Sequence, residues 1–371
     1  MSEVKVAFYG HVRQYHNLKA EIDKAITDVL ESGAYVMGPK MKQFEGELAQ
    51  YLGVKHALGV NSGTDALYLV FKALGIGPGD EVITTSNTFF ATAEAVWLMG
   101  ATPVFVDCEP GTRNIDPTLI EAKITKRTKA IVPVHLYGQP ANMPAIAAIA
   151  KKHNLLVVED CAQAIGSKGD TFKIGELSDA VCMSFITAKN LGTFGDGGAV
   201  VTNRDDITAT VNRLRNHGSD KRSHHSVGWN SRLDEIHAAI LSVKLKHIDE
   251  YNDARRARAA EYDQMLAGTS LRLPKATPGY RHVFHLYVVE TPKRDDLQEY
   301  LKDRGIIALT NYPIAIHQQE GFPFGLGDPK PVLPETEINS AECLSLPLYP
   351  ELTQDEAKFV ADAVLAWEKG R

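Results

Sequence analysis

The chain has 371 residues, 44% of them hydrophobic and 23% charged, which is the profile of a folded globular protein of roughly two domains rather than a disordered, collagenous or coiled-coil one. Its 40 Lys and Arg against 46 Asp and Glu give a net charge of -6. With no run of five basic residues, a nucleic-acid partner held by a phosphate-neutralising patch is not expected.

The first helix is expected over Leu18, Ile22, Ala25, Ile26, Val29 and Leu30, stopped by Gly33. Pro39 opens a second helix carrying Met41, Phe44, Leu48 and Tyr51, closed by Gly53. Seven short apolar runs follow: Ala57–Val60, Glu81–Thr85, Thr102–Asp107, Ala130–Leu136, Leu155–Glu159, Ala180–Phe185 and Ala199–Thr202. Several are apolar on both faces, as strands of a covered sheet are. Helical stretches such as Asn142–Asn154 lie between most of them, so the alternation predicts an α/β domain with a largely parallel sheet.

Arg232–Leu266 reads as one long helix without Gly or Pro, and the domain boundary is placed near or inside it. The expected division is residues 1–250, a large α/β domain with N-terminal helices, and 251–371, a smaller α+β domain. Within the latter, His282–Glu290 and Ile306–Leu309 read as strands and Asp295–Arg304 as a helix closed by Gly305. Gly321–Pro334 reads as a surface loop, and Thr353 with Glu356 forms a capping box before a terminal helix.

Cys108, Cys161, Cys182 and Cys343 show no metal or CxxC spacing and are expected as buried hydrophobes in a reducing compartment. Met1–Asn17 lacks an apolar signal core, and no eighteen-residue apolar run exists, so a cytoplasmic protein without a membrane partner is expected. No metal site is expected.

Three segments carry chemistry. Asn61-Ser62-Gly63-Thr64-Asp65 joins a strand to a helix and leaves free N–H groups at the helix's positive end, either an anion site or an ordinary N-cap. No P-loop and no GxGxxG fingerprint occurs. Leu155–Gln163 delivers Glu159 and Asp160 at a strand end on opposite faces, so one can enter a site while the other does something else. Lys189 lies just past an apolar strand in a turn-rich stretch ending Gly195-Asp196-Gly197-Gly198. Desolvation there would lower its pKa and make it a nucleophilic amine able to form a Schiff base. An anion cradle, a strand-end carboxylate and such a lysine are the three things pyridoxal phosphate requires.

With these residues in order, and with Gly38-Pro39, Asn87-Thr88-Phe89, His135-Leu136-Tyr137-Gly138-Gln139, Gly228–Leu233 and Tyr312-Pro313 also in place, the chain resembles the pyridoxal-phosphate-dependent sugar aminotransferases of the DegT/DnrJ/StrS type along nearly its whole length. The resemblance implies the aspartate aminotransferase fold (fold type I). It also implies roles. Lys189 would hold the cofactor aldehyde and later shuttle a proton, and Asp160 would pair with the pyridine nitrogen. Gln163 would face the ring hydroxyl, and Phe89 would stack on the ring. Gly63, Thr64 and Ser184 would hold the phosphate. Asn230 would reach the phosphate of a neighbouring subunit's cofactor, making a homodimer with shared sites. Tyr312 and His317 would border the sugar pocket, with Tyr35 entering from the partner.

The implied reaction moves an amino group from an amino acid, L-glutamate, to a keto sugar on a nucleotide diphosphate, at C-3 or C-4. The product would feed a surface polysaccharide or a glycosylated natural product. The alternatives are an aminocyclitol aminotransferase of the same fold and a non-catalytic, ligand-sensing regulator. A dehydratase or epimerase is disfavoured because a relative of that kind carries histidine where this chain has Lys189. Ile186 and Thr187 replace an aromatic residue and a proline common in the family, which leaves this loop without a reading of the substrate. His217, His224 and His225 read as loop residues.

Overall fold

The computed structural model describes residues 3–220, 223–322 and 330–370. Helices α1 (His11–Asn17), α2 (Lys19–Ser32) and α3 (Pro39–Leu52) open the chain. Gly33 and Gly53 end α2 and α3 in the left-handed conformation, and Pro39 occupies the first turn of α3, as the sequence predicts. Seven strands then build the central sheet: β1 (His56–Val60), β2 (Glu81–Thr85), β3 (Thr102–Val106), β4 (Thr128–Val132), β5 (Leu156–Asp160), β6 (Ala180–Ser184) and β7 (Gly198–Thr202). Their order is β1-β7-β6-β5-β4-β2-β3, parallel throughout except that β7 runs antiparallel to β1 and β6.

Helices cover both faces, which is why the strands are apolar on both sides. Along β6, Val181 and Met183 pack towards α3 and α8 (Glu235–Leu245). Ala180 and Cys182 pack towards α4 (Gly63–Ala73), α5 (Ala91–Leu98) and α7 (Asp205–Leu214). Helix α6 (Met143–His153) lies over β4 and β5.

Several expectations change. Strand β4 stops at Val132 rather than Leu136, because Pro133 has no N–H for the ladder. The chain nevertheless stays beside the tip of β5, with His135 N–H on Asp160 O at 3.0 Å. The long helix breaks at Lys246–His247 into α8 and α9 (Ile248–Met265). No Gly or Pro marks the break; packing makes it, since α8 is held between α2 and α3 while α9 runs out to α12 (Gln354–Lys369). Finally, only Tyr287–Glu290 of the expected strand forms, as β10, pairing with β11 (Cys343–Leu346); a two-residue hairpin, β8 (Ser219–Asp220) with β9 (Ser223–His224), precedes α8. Residues 282–286 instead wrap the 137–138 loop, with Val283 N–H on Gly138 O and Phe284 at φ 43°.

Helices α10 (Arg294–Asp303) and α11 (Pro334–Glu342) complete the C-terminal part, and the Thr353–Glu356 capping box is present on α12. Ile306 and Leu309 make single bridges rather than a strand. Part of the expected 321–334 loop, residues 323–329, lies outside the described residues. Ile248 belongs to the core under the sheet, whereas Ala259, Tyr262 and Leu266 of the same helix belong to the C-terminal core. Val6 also packs there, bridged to Ile306. All four cysteines are buried and free.

Candidate active site

Beyond the C-terminal ends of β5 and β6 lies a cavity of about 270 Å³. Sheet edges of this kind gather ligands because loops and helix N-termini converge on them. The cavity brings together Lys189, Asp160, Gln163 and Phe89 with Gly63, Thr64 and Ser184, and Tyr312 also lines it.

Lys189 stands on a turn fixed at both ends. Phe185 donates to Gly197 O at 2.7 Å and accepts from Thr193 N–H at 2.8 Å, and Lys189 N–H bonds Ile186 O at 2.8 Å. The next residue, Asn190, is buried and anchored: its amide donates to Asn252 Oδ1 and Val283 O, and its oxygen faces His285 Nδ1 at 3.0 Å. Since the oxygen can only accept, His285 carries its proton on Nδ1. Burial lowers the Lys189 amine to about 8, with the charge of Asp160 opposing the shift. At pH 7.5 about a quarter of such amines are unprotonated, against about one in a thousand for an ordinary lysine. The free amine is the nucleophile, so capture of pyridoxal phosphate by apoprotein should accelerate with pH and level off above about 9. Stopped-flow absorbance checks this; a rate still rising steeply beyond pH 10 would contradict the lowered amine.

Asp160 is buried at the end of β5 and held in place. Oδ2 accepts from Thr92 Oγ1 at 2.8 Å, and Oδ1 accepts from Ala162 N–H at 3.2 Å. Thr92 Oγ1 spends its proton on Asp160, so Thr88 Oγ1, 3.2 Å away, donates to it. Glu159 points to the other face, as alternation requires. There it accepts from Gly175 N–H and Ser178 Oγ and meets His135 Nε2 at 2.7 Å, both side chains fully buried. Ala141 N–H donates to His135 Nδ1, so this imidazole is neutral with its proton on Nε2. One carboxylate enters the cavity and the other braces the sheet.

Also lining the cavity, Ser62 caps α4 through Asp65 N–H at 3.0 Å. The N–H groups of Gly63 and Thr64 at the positive end of α4 have no acceptor among the described residues. A Cβ on Gly63 would stand 2.8 Å from Ser184 Cβ, and one on Gly198 would stand 2.4 Å from the Ser62 carbonyl carbon. Bare backbone thus lets two loops close into an anion cradle that any larger residue would fill.

Phe89 is 56% exposed on the cavity wall, so it is not a core residue; its ring centroid lies 5.7 Å from that of Tyr312. Three expected site residues are not brought to the cavity by this chain. His317 is buried, with Nδ1 on Ser86 Oγ at 2.8 Å and Nε2 on Glu337 at 3.2 Å, so its ring is committed elsewhere. Tyr35 is half exposed and donates to Leu30 O, and Asn230 is exposed, its backbone paired with Asn216. His224 and His225 lie on or beside the exposed hairpin, and His217 turns into it at φ 60°. The sequence reading missed Thr88, Thr92 and Tyr137; only the four-residue spacing of the threonines at a helix start hinted at two of them.

A larger cavity, about 530 Å³, lies between Pro110–Arg113 and Leu271–Lys275. Its buried cation is already neutralised, since Arg113 grips Glu290 through two 2.6 Å bonds and Glu335 at 2.8 Å. No cluster of three or more His, Cys, Asp or Glu that could hold a metal occurs among the described residues, nor does a helix long and apolar enough to cross a membrane.

The residues present fit pyridoxal phosphate: free N–H groups for its phosphate, a fixed carboxylate for its ring nitrogen and, for its aldehyde, an amine that burial makes easier to deprotonate. A model of the DegT/DnrJ/EryC1/StrS aminotransferase family matches residues 16–365. The chain belongs to that family. It is a pyridoxal-phosphate-dependent aminotransferase of fold type I.

Among its family relatives, a Geobacillus stearothermophilus protein named pleiotropic regulatory protein is 47% identical over 95% of each chain. The dTDP-3-amino-3,4,6-trideoxy-alpha-D-glucose transaminase of Streptomyces venezuelae is 46% identical over 98% of this chain and 96% of its own. The crystal structure of S. venezuelae DesV in complex with a ketimine intermediate superposes with a TM-score of 0.96, at 45% identity over 99% of each chain.

Proposed function

We propose that this aminotransferase moves an amino group from L-glutamate to C-3 of a keto sugar carried on a nucleoside diphosphate. The observation that carries the reading is the depressed amine of Lys189, set in one cavity with Asp160 and a helix-end anion cradle. The sugar class and the carbon rest on relatives named as transaminases of 3-amino nucleotide sugars. Bound pyridoxal phosphate supplies an aldehyde for the amine and a ring that withdraws electrons from the substrate carbon.

In this reading Gly63, Thr64 and Ser184 bind the phosphate. Phe89 covers one ring face, and Gln163 meets the ring hydroxyl. Asp160, oriented by Thr92, keeps a fixed negative charge at the ring nitrogen. Lys189 would take the proton from the donor's α-carbon and pass it to the cofactor's aldehyde carbon, and in the second half-reaction would move a proton from that carbon to the sugar carbon. The chain acts as a homodimer in which Asn230 and Tyr35 complete the neighbouring site. In support, Val227 is 87% exposed and Ile186, on the cavity wall, 44%, apolar surface that a second copy would cover.

The test is direct. Glutamate added to holoenzyme should convert the cofactor absorbance to that of its amine form, and a panel of 3-keto and 4-keto nucleotide sugars should restore it. Restoration by 4-keto sugars alone would reverse the C-3 assignment. A regulator is the second reading, favoured by the name of the 47% identical relative. Absence of any glutamate-driven change would select it.

A further inference from the structure

Resting on the reading above, we propose that Tyr137 is a positioning residue that sets the hydrogen-bond polarity of the substrate wall, leaving Tyr312 as a donor to an oxygen of the bound keto sugar.

The polarity follows from groups that have no choice. A backbone N–H can only donate, and that of Tyr137 meets Gln163 Oε1 at 2.6 Å. The Gln163 carboxamide is therefore oriented with its NH₂ towards Tyr312 Oη, at 3.1 Å. An NH₂ also only donates, so the Tyr312 oxygen is the acceptor of that bond. Its single hydrogen is left over, and no acceptor among the described residues takes it. Tyr312 lines the cavity, so that hydrogen is available to the ligand. Burial, reinforced by the charge of Asp160, raises the phenol and keeps the proton on it at neutral pH.

Tyr137 controls both members of this pair. Its own hydroxyl donates to Asn311 O at 2.5 Å, next to Tyr312 in the chain, and accepts from Asn339 Nδ2 at 3.0 Å. Its backbone has φ 59°, a region unfavourable to a residue with a side chain. The surroundings hold it there: Leu286 N–H bonds Tyr137 O, Val283 N–H bonds Gly138 O, and a Cβ on Gly138 would lie 2.8 Å from His285 N. That left-handed turn aims the Tyr137 N–H at Gln163 while its side chain grips the segment carrying Tyr312.

Tyr137→Phe removes the grip on Asn311 and keeps the backbone donor. In the holoenzyme it should raise KM for the keto sugar about tenfold, with the rate of the glutamate half-reaction within about twofold of wild type. Tyr312→Phe should raise KM for the keto sugar at least as much, and the double variant should lose no more than Tyr312→Phe alone. Gln163→Glu, which offers Tyr312 an acceptor instead of a donor, should also raise KM and leaves Tyr137 untouched if Tyr137→Phe fails to fold. An unchanged KM in Tyr137→Phe or in Gln163→Glu, or losses that multiply in the double variant, would overturn the proposal. Failure of the functional reading looks different, because wild-type enzyme would then not aminate the sugar at all.

Discussion

Lys189→Ala is expected to yield a folded protein that binds pyridoxal phosphate without bonding to it and that transaminates at least about a thousandfold more slowly than wild type. The cradle of Gly63, Thr64 and Ser184 is built from residues other than the lysine, so cofactor should be retained in equilibrium and lost on dialysis. Borohydride treatment of wild-type holoenzyme should fix the cofactor on the peptide containing Lys189, with no labelled peptide from the variant. The loss compounds two functions of one amine, attachment and proton transfer. Added small amines should restore part of the second. A variant as fast as wild type would remove the basis of the functional assignment.

Asp160→Asn is the second large effect. The substitution keeps size and the contact with Thr92 but removes the negative charge. An uncharged amide no longer favours a protonated pyridine nitrogen, so withdrawal of electrons from the substrate carbon weakens. The expected fall in kcat is about a hundredfold to ten-thousandfold, with cofactor binding changed far less. Thr92→Val, which leaves one carboxylate oxygen without its hydroxyl donor, should cost about tenfold. If Asp160→Asn and Thr92→Val were equally mild, the carboxylate would be no more than a turn cap for Ala162.

Much of this site was legible because its parts are local. A strand followed by Ser-Gly-Thr, or by Glu-Asp, or by a lysine in a glycine-rich turn, announces its chemistry within ten residues. The seven strands were legible because a sheet covered on both faces needs unbroken apolar runs. The division of labour between Glu159 and Asp160 followed from strand alternation alone. What escaped was set by contacts between distant segments. Thr92 matters because it meets a carboxylate 68 positions away. The break at Lys246–His247 has no residue signal, being imposed by two different packing partners. In sequence Tyr137 is only part of the His135–Gln139 motif, and its left-handed turn is held by residues 283–286 folding over it. The resemblance implies that His317 borders the pocket, but Ser86 and Glu337 claim both of its nitrogens.

The pairing of Val6 with Ile306 has a consequence for how the polypeptide is made. Lys5 N–H bonds Gly305 O at 2.9 Å, Ile307 N–H bonds Val6 O at 3.1 Å, and Arg13 forms a two-pronged pair with Glu356 on α12. Residues 5 and 6 are synthesised some three hundred positions before the partners at 305–307 that fix their places. A fragment of 251–371 synthesised alone lacks that strap and leaves Ile306 without its partner Val6 in the C-terminal core, so it should be recovered as an insoluble product unless residues 3–13 are supplied with it.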